Sequence, residues 1–102
     1  MSYIYKYKLA PHKTEIRVDR DSRVLHAGVQ DDDIYVWIKH AGKKADFQGN
    51  TILTFLAVPT GVEFDDPYDL SLDGPKLSYV GTVTNIDGWI VMHIFGTSRR
   101  TN

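Results

Sequence analysis

The chain has 102 residues, 12 of them basic and 13 acidic, a formal charge of −1 and no cysteine. That length suits one domain, and a domain of this size buries roughly two thirds of its unfolded surface. A hydrophobic content of 42% with 12% aromatic residues excludes a disordered chain. Balanced charge excludes the broad positive field that general nucleic-acid or anionic-membrane binding needs. The lack of cysteine removes disulfides, thiolate nucleophiles and Cys-based zinc sites, and fits a reducing compartment.

Apolar residues recur at every second position, so an extended chain carries them on one face and strands dominate the expected structure. The opening MSYIYKYKL alternates where a signal peptide would be continuously apolar, and no apolar run reaches the roughly 18 residues of a membrane span. Tyr3 to Leu9 reads as a strand with Tyr3, Tyr5, Tyr7 and Leu9 on one face and Ile4, Lys6 and Lys8 on the other; Pro11 stops it. Thr14 to Asp19 sets Thr14, Ile16 and Val18 against Glu15, Arg17 and Asp19.

Asp19 to Ser22 (DRDS) is a turn by composition. Arg23 to Gln30 follows as a strand with Leu25, Ala27 and Val29 inward and a bulge expected at Gly28. The acidic triplet Asp31 to Asp33 turns the chain into Ile34 to Ala41 (IYVWIKHA), which is apolar on both faces and therefore reads as a central or interface strand of a hairpin. Gly42 to Asn50 (GKKADFQGN) is a polar loop. Thr51 to Val58 (TILTFLAV) is β-branched and apolar throughout, and Pro59 and Gly61 end it.

Val62 to Lys76 is the longest loop, with one short helical turn at Pro67 to Leu72. Leu77 to Thr84 and Trp89 to Thr97 flank Asn85 to Gly88 (NIDG), whose Asp-Gly pair supplies the positive φ of a hairpin turn. Ser98 to Asn102 (SRRTN) lacks apolar anchors and reads as a loose tail. The expectation is one mainly β domain over residues 1–97, of about seven mostly antiparallel strands in a sandwich or partly open barrel, with a flexible tail at 98–102.

Chemical motifs are sparse. His12, His26, His40 and His93 never fall at metal-site spacings and read as ordinary structural or surface histidines. The carboxylate groups at Asp31 to Asp33 and Glu63 to Asp66 read as turn formers, not as acid–base pairs. There is no GxSxG elbow, Walker loop or GxGxxG, so neither catalysis, a metal nor a cofactor is expected. The informative residues are rings: Tyr3, Tyr5, Tyr7, Tyr35, Trp37, Tyr79 and Trp89 combine flat apolar surface with polar tips and suit nucleobase stacking as well as a core, with Tyr5, Tyr7, Trp37 and Trp89 the candidate ligand contacts. Lys6, Lys8, Lys39, Arg99 and Arg100 offer cations to a compact anionic ligand, with Lys8, Lys39 and Arg99 the candidate contacts, against the plain reading of solvated surface charge. At Pro59-Thr60-Gly61, the Thr60 hydroxyl and the Gly61 amide suit a phosphate or a base edge, against the plain reading of a tight turn.

In order, IYKYKL at Ile4 to Leu9, RVLHAGVQDDDIYVWI at Arg23 to Ile38, FLAVPTG at Phe55 to Gly61 and YVGTVTNIDGWIVMHIF at Tyr79 to Phe95 resemble a widespread family of small phage proteins of unassigned domain function. The GKKADFQGN segment and the early position of Trp89 depart from that family's pattern. The resemblance implies an accessory protein made in the cytoplasm of an infected bacterium. What it suggests is immune evasion: an oligomer, dimer or tetramer, that acts as a sponge for a cyclic dinucleotide signal of cyclic-oligonucleotide (CBASS) antiphage systems without cleaving it. Bases would stack on tyrosine or tryptophan, and Lys or Arg with the Thr60-Gly61 turn would hold phosphates. The competing expectation is a protein–protein inhibitor or virion accessory module that docks through an exposed β-edge and an aromatic face.

Overall fold

The computed structural model describes residues 2–10, 13–61, 78–84 and 91–101. The strands are β1 (Tyr3–Lys8), β2 (Lys13–Val18), β3 (Arg23–Gln30), β4 (Asp33–His40), β5 (Thr51–Pro59), β6 (Ser78–Thr84) and β7 (Val91–Arg100). They form two antiparallel sheets, ordered β1-β4-β3 and β2-β5-β7-β6. This is the expected seven-strand, mainly β domain, in the form of two facing sheets and not of a closed barrel. The two strands that are apolar on both faces, β4 and β5, are each flanked by a strand on either side.

Register assigns the faces. Tyr5 pairs with Ile38 and Tyr7 with Val36, and on the other side of β4 Val36 pairs with Ala27. These residues form the inner face of the three-stranded sheet, while Lys6, Trp37 and His26 share the outer face. The β3–β4 turn consists of Asp31 and Asp32 at φ 54° and 67°. Two successive left-handed residues twist with the flanking strands, the geometry of a two-residue hairpin.

The expected bulge lies elsewhere. Gly28 pairs regularly with Tyr35, whereas the register shifts between Val24 and His26. One extra residue there turns Val24 inward and leaves Leu25 47% exposed, so Leu25 is not the inward residue that strict alternation implies.

In the second sheet Ile16, Leu53, Phe55 and Ile94 point the same way as Ala57 and Val83. The core unites them with Ala27, Val36 and Ile38 of the first sheet. Burial of an Ile or Phe side chain stabilises by roughly 1.5–3 kcal/mol, so this shared layer clamps the two sheets face to face. At one corner the edge strands β3 and β6 meet closely: a Cβ placed on Gly81 would lie 3.7 Å from that of Ala27.

Strand β7 runs to Arg100, three residues past the expected end at Thr97, because Ser98, Arg99 and Arg100 pair with Leu53, Ile52 and Thr51. Thr101 continues the anchorage through its N–H to the Asn50 carbonyl at 2.9 Å. The loop after β4 contains one 3-10 turn, Lys44–Asp46. The turn at Pro67 to Leu72 and the NIDG turn lie outside the described residues, although the hairpin partners β6 and β7 do pair. Among the described residues no helix is long and apolar enough to cross a membrane.

Candidate functional site

The outer face of β1-β4-β3 carries a row of rings. Trp37 is at its centre, with the His26 ring centroid at 5.6 Å and that of Tyr35 at 6.3 Å, both tilted. Alternation along β4 puts Tyr35 and Trp37 on one side, and antiparallel pairing brings His26 opposite Trp37. Gly28 keeps the row compact, since a Cβ there would stand 3.2 Å from His26 Nε2 and 3.3 Å from Trp37 Cζ3. The Lys6 ammonium sits 4.6 Å from the centroid of Tyr35 and donates to the Gln30 side-chain oxygen. Lys8 shares this face and is 3.4 Å from the Asp33 carboxylate, a half-exposed pair that contributes little stability. Lys39 is exposed two residues from Trp37.

Tyr5 and Tyr7 occupy the opposite, inner face. They surround His40, which is only 1% exposed. The Tyr7 hydroxyl is 3.0 Å from His40 Nε2, and the Ser22 hydroxyl is 2.8 Å from Nδ1. A neutral imidazole has one donor and one acceptor nitrogen, so one hydroxyl donates to the ring and the other accepts from it. Phe47 covers the imidazole at a centroid distance of 4.4 Å, and the Tyr5 ring lies at 5.4 Å. Burial lowers the His40 pKa; the nearby Asp19 carboxylate opposes this and the Lys44 ammonium adds to it. Burial also raises the Tyr7 pKa, with Tyr5 adding to the effect, so the phenol stays protonated. The backbone N–H of Lys44 donates to the Tyr5 oxygen at 3.1 Å, and its ammonium lies 4.7 Å from the Tyr7 ring centroid. These contacts make Tyr5 and Tyr7 the packed lining of the sandwich's end.

Thr60 and Gly61 form the turn after β5, with Gly61 at φ 80°, a conformation open to glycine without strain. The Thr60 hydroxyl is 2.6 Å from His93 Nε2, and the other His93 nitrogen is 3.1 Å from the Thr82 hydroxyl, which Tyr79 reaches in turn. This chain lies on the outer face of the four-stranded sheet. Arg99 extends from the end of β7 and borders a polar crevice with Arg20 and Arg100. Trp89 is outside the described residues.

Trp37, Lys8 and Lys39 therefore share one surface; Tyr5 and Tyr7 are behind it, and Thr60, Gly61 and Arg99 belong to the other sheet. Sequence reasoning read His26 and His40 as ordinary structural or surface histidines and gave neither of them a partner. Each had a positional signal: His40 continues the even-numbered apolar series Ile34, Val36, Ile38, and His26 falls two residues from Gly28 on one strand face. The pairing of Ser22 with His40 and the nearness of Arg20 to Arg100 had none, because both arise from contacts between segments distant in the chain. Among the described residues, no three His, Asp or Glu side chains gather as a metal site.

No curated protein and no solved structure matches this chain. A family model described as a domain of unknown function, DUF7352, matches residues 1–102, and the chain belongs to that family.

Proposed function

We propose that this protein is a phage-encoded binding protein that blunts bacterial immunity by sequestering a cyclic dinucleotide signal intact in the cytoplasm of the infected cell. The observation that supports this most directly is the row His26–Trp37–Tyr35 with the Lys6 ammonium over its end. Open sheet faces with rings two residues apart stack nucleobases, and each stacked base contributes about 1–3 kcal/mol. Lys8 and Lys39 flank the rings on the same face and supply charge for phosphates. The ligand is held and released whole. Two copies in a dimer, or four in a tetramer, present paired ring faces to the two bases of one ligand.

A second reading, capture of a protein partner, draws on Ile4, which is 60% exposed beside the same rings. Calorimetry with a panel of cyclic dinucleotides separates the two. Saturable binding, recovery of unaltered ligand and a Trp37→Ala loss of roughly tenfold, about 1.4 kcal/mol, support sequestration. No binding by folded protein moves the function to protein capture, and a degraded ligand refutes the passive mechanism. Light scattering gives the oligomeric state, and a monomer counts against the paired-face arrangement.

A further inference from the structure

Two hollows on the sandwich join at a single residue. The first is a cleft of about 510 Å³ between the diverging edges of β3 and β6. It exists because both edge strands carry a bulge just beyond their close approach at Gly81 and Ala27: one between Val24 and His26, the other between Tyr79 and Gly81. A bulge bends its strand and increases its local twist, so a pair of them splays the two edges apart. Leu53 and Phe55 line the cleft from β5, while Leu25 and Tyr79, 47% and 61% exposed, flank it. Gly96 leaves room for the Phe55 ring, which would stand 3.3 Å from a Cβ at that position.

The second hollow, about 590 Å³, is polar and is bordered by Arg20, Arg99, Arg100 and the Thr51 hydroxyl. Among the described residues Asp21 is the one carboxylate at its border. Among the described residues none of the three guanidiniums takes part in an ion pair, although Arg20 is held in place by its backbone N–H to the Asn50 side-chain oxygen at 3.0 Å. Guanidiniums that border a cavity and, among the described residues, join no ion pair favour a phosphate, which a guanidinium can grip with two parallel N–H donors. Ser98 lines both hollows.

We infer that the two hollows form one bipartite site for a nucleoside monophosphate, separate from the ring face of the three-stranded sheet. The base lies in the apolar cleft against Leu25 and Phe55. Its sugar spans the junction at Ser98, and the phosphate rests between Arg20 and Arg100, the latter on the same strand face as Ser98. A cleft of this size falls within the roughly 300–1,000 Å³ of small-molecule sites.

The test titrates the full chain with adenosine and guanosine 5′-monophosphates, the two nucleosides and inorganic phosphate, followed by calorimetry. A monophosphate is expected to bind at least tenfold more tightly than its nucleoside or inorganic phosphate. The Arg20→Ala/Arg100→Ala variant is expected to erase that advantage and leave nucleoside binding intact. Leu25→Ala should weaken nucleoside and monophosphate alike, and Trp37→Ala should change neither. Circular dichroism establishes that each variant is folded, and Arg20→Lys/Arg100→Lys replaces the alanine pair if that variant is not. The inference is overturned if neither monophosphate saturates the wild-type protein, if the arginine variants bind as it does, or if Trp37→Ala abolishes monophosphate binding. The ring-face reading fails separately, on the cyclic dinucleotide titration.

Discussion

Substitution of the hydroxyls around His40 tests whether the buried imidazole is a tightly satisfied structural group. His40 is 1% exposed, and its two nitrogens contact Tyr7 and Ser22 at 3.0 and 2.8 Å. Tyr7→Phe or Ser22→Ala leaves one nitrogen without a protein partner in a site shielded by Phe47 and Tyr5. An unsatisfied buried polar group costs about 1–3 kcal/mol, a large share of the roughly 5–15 kcal/mol that holds a small domain together. Urea unfolding near pH 8 should show each variant's midpoint lowered at unchanged slope. His40→Leu, which removes both nitrogens at once, should cost less than the two single losses combined, since Tyr7 and Ser22 are half-exposed and can turn to water.

The same site sets a pH dependence. Burial lowers the folded-state pKa of His40 below its ordinary 6.5, so the unfolded chain takes up the proton more readily than the folded one. The contribution is therefore complete above about pH 6.5 and is lost as pH falls through the lowered folded pKa. Asp19 and Lys44 act on the ring in opposite senses, and burial outweighs both. Stability measured from about pH 8 down to pH 5 should decline more steeply in the wild-type protein than in His40→Leu. If both hydroxyl variants stay within about 0.5 kcal/mol of wild type, or if His40→Leu keeps the full pH slope, the reasoning is refuted.

Phe55→Ala should destabilise by about 3–5 kcal/mol in the same unfolding assay, because the ring is 2% exposed at the centre of the shared core and its removal leaves a cavity. Asp31→Asn with Asp32→Gly should raise stability by roughly 0.5–1 kcal/mol, and the thermal midpoint accordingly, because both positions have left-handed backbone that Asn and Gly adopt at less cost. An unchanged or lowered midpoint would show that the aspartates make compensating contacts in the turn.

Strand positions and their faces were readable wherever apolar residues alternate. Tyr3, Tyr5 and Tyr7 against Ile4, Lys6 and Lys8 came directly from spacing, and the two-sided pattern of β4 pointed to a central or interface strand, which in the sheet is central. Reading failed at Leu25, where the inserted residue of a bulge reverses every assumption of period two, and it ended β7 three residues short at Thr97. The polar Ser98, Arg99 and Arg100 stay in the strand because β5 offers them an unpaired backbone edge. The candidate ligand residues fared by the same rule: Trp37, Lys8 and Lys39 were recognisable as surface chemistry, and the structure places them together.

Local patterning, set by side-chain alternation, turn chemistry and the lack of cysteine, determined the class of fold, the number of strands and the inward faces of the regular ones. Tertiary structure alone decided which strands neighbour one another, that Ser22 meets His40, and that the β3 and β6 edges part to open a cleft reaching Arg20 and Arg100. The physical reason is range. Alternation and turn preference act between residues a few positions apart, whereas sheet order and edge separation are settled by burial of faces that distant segments share.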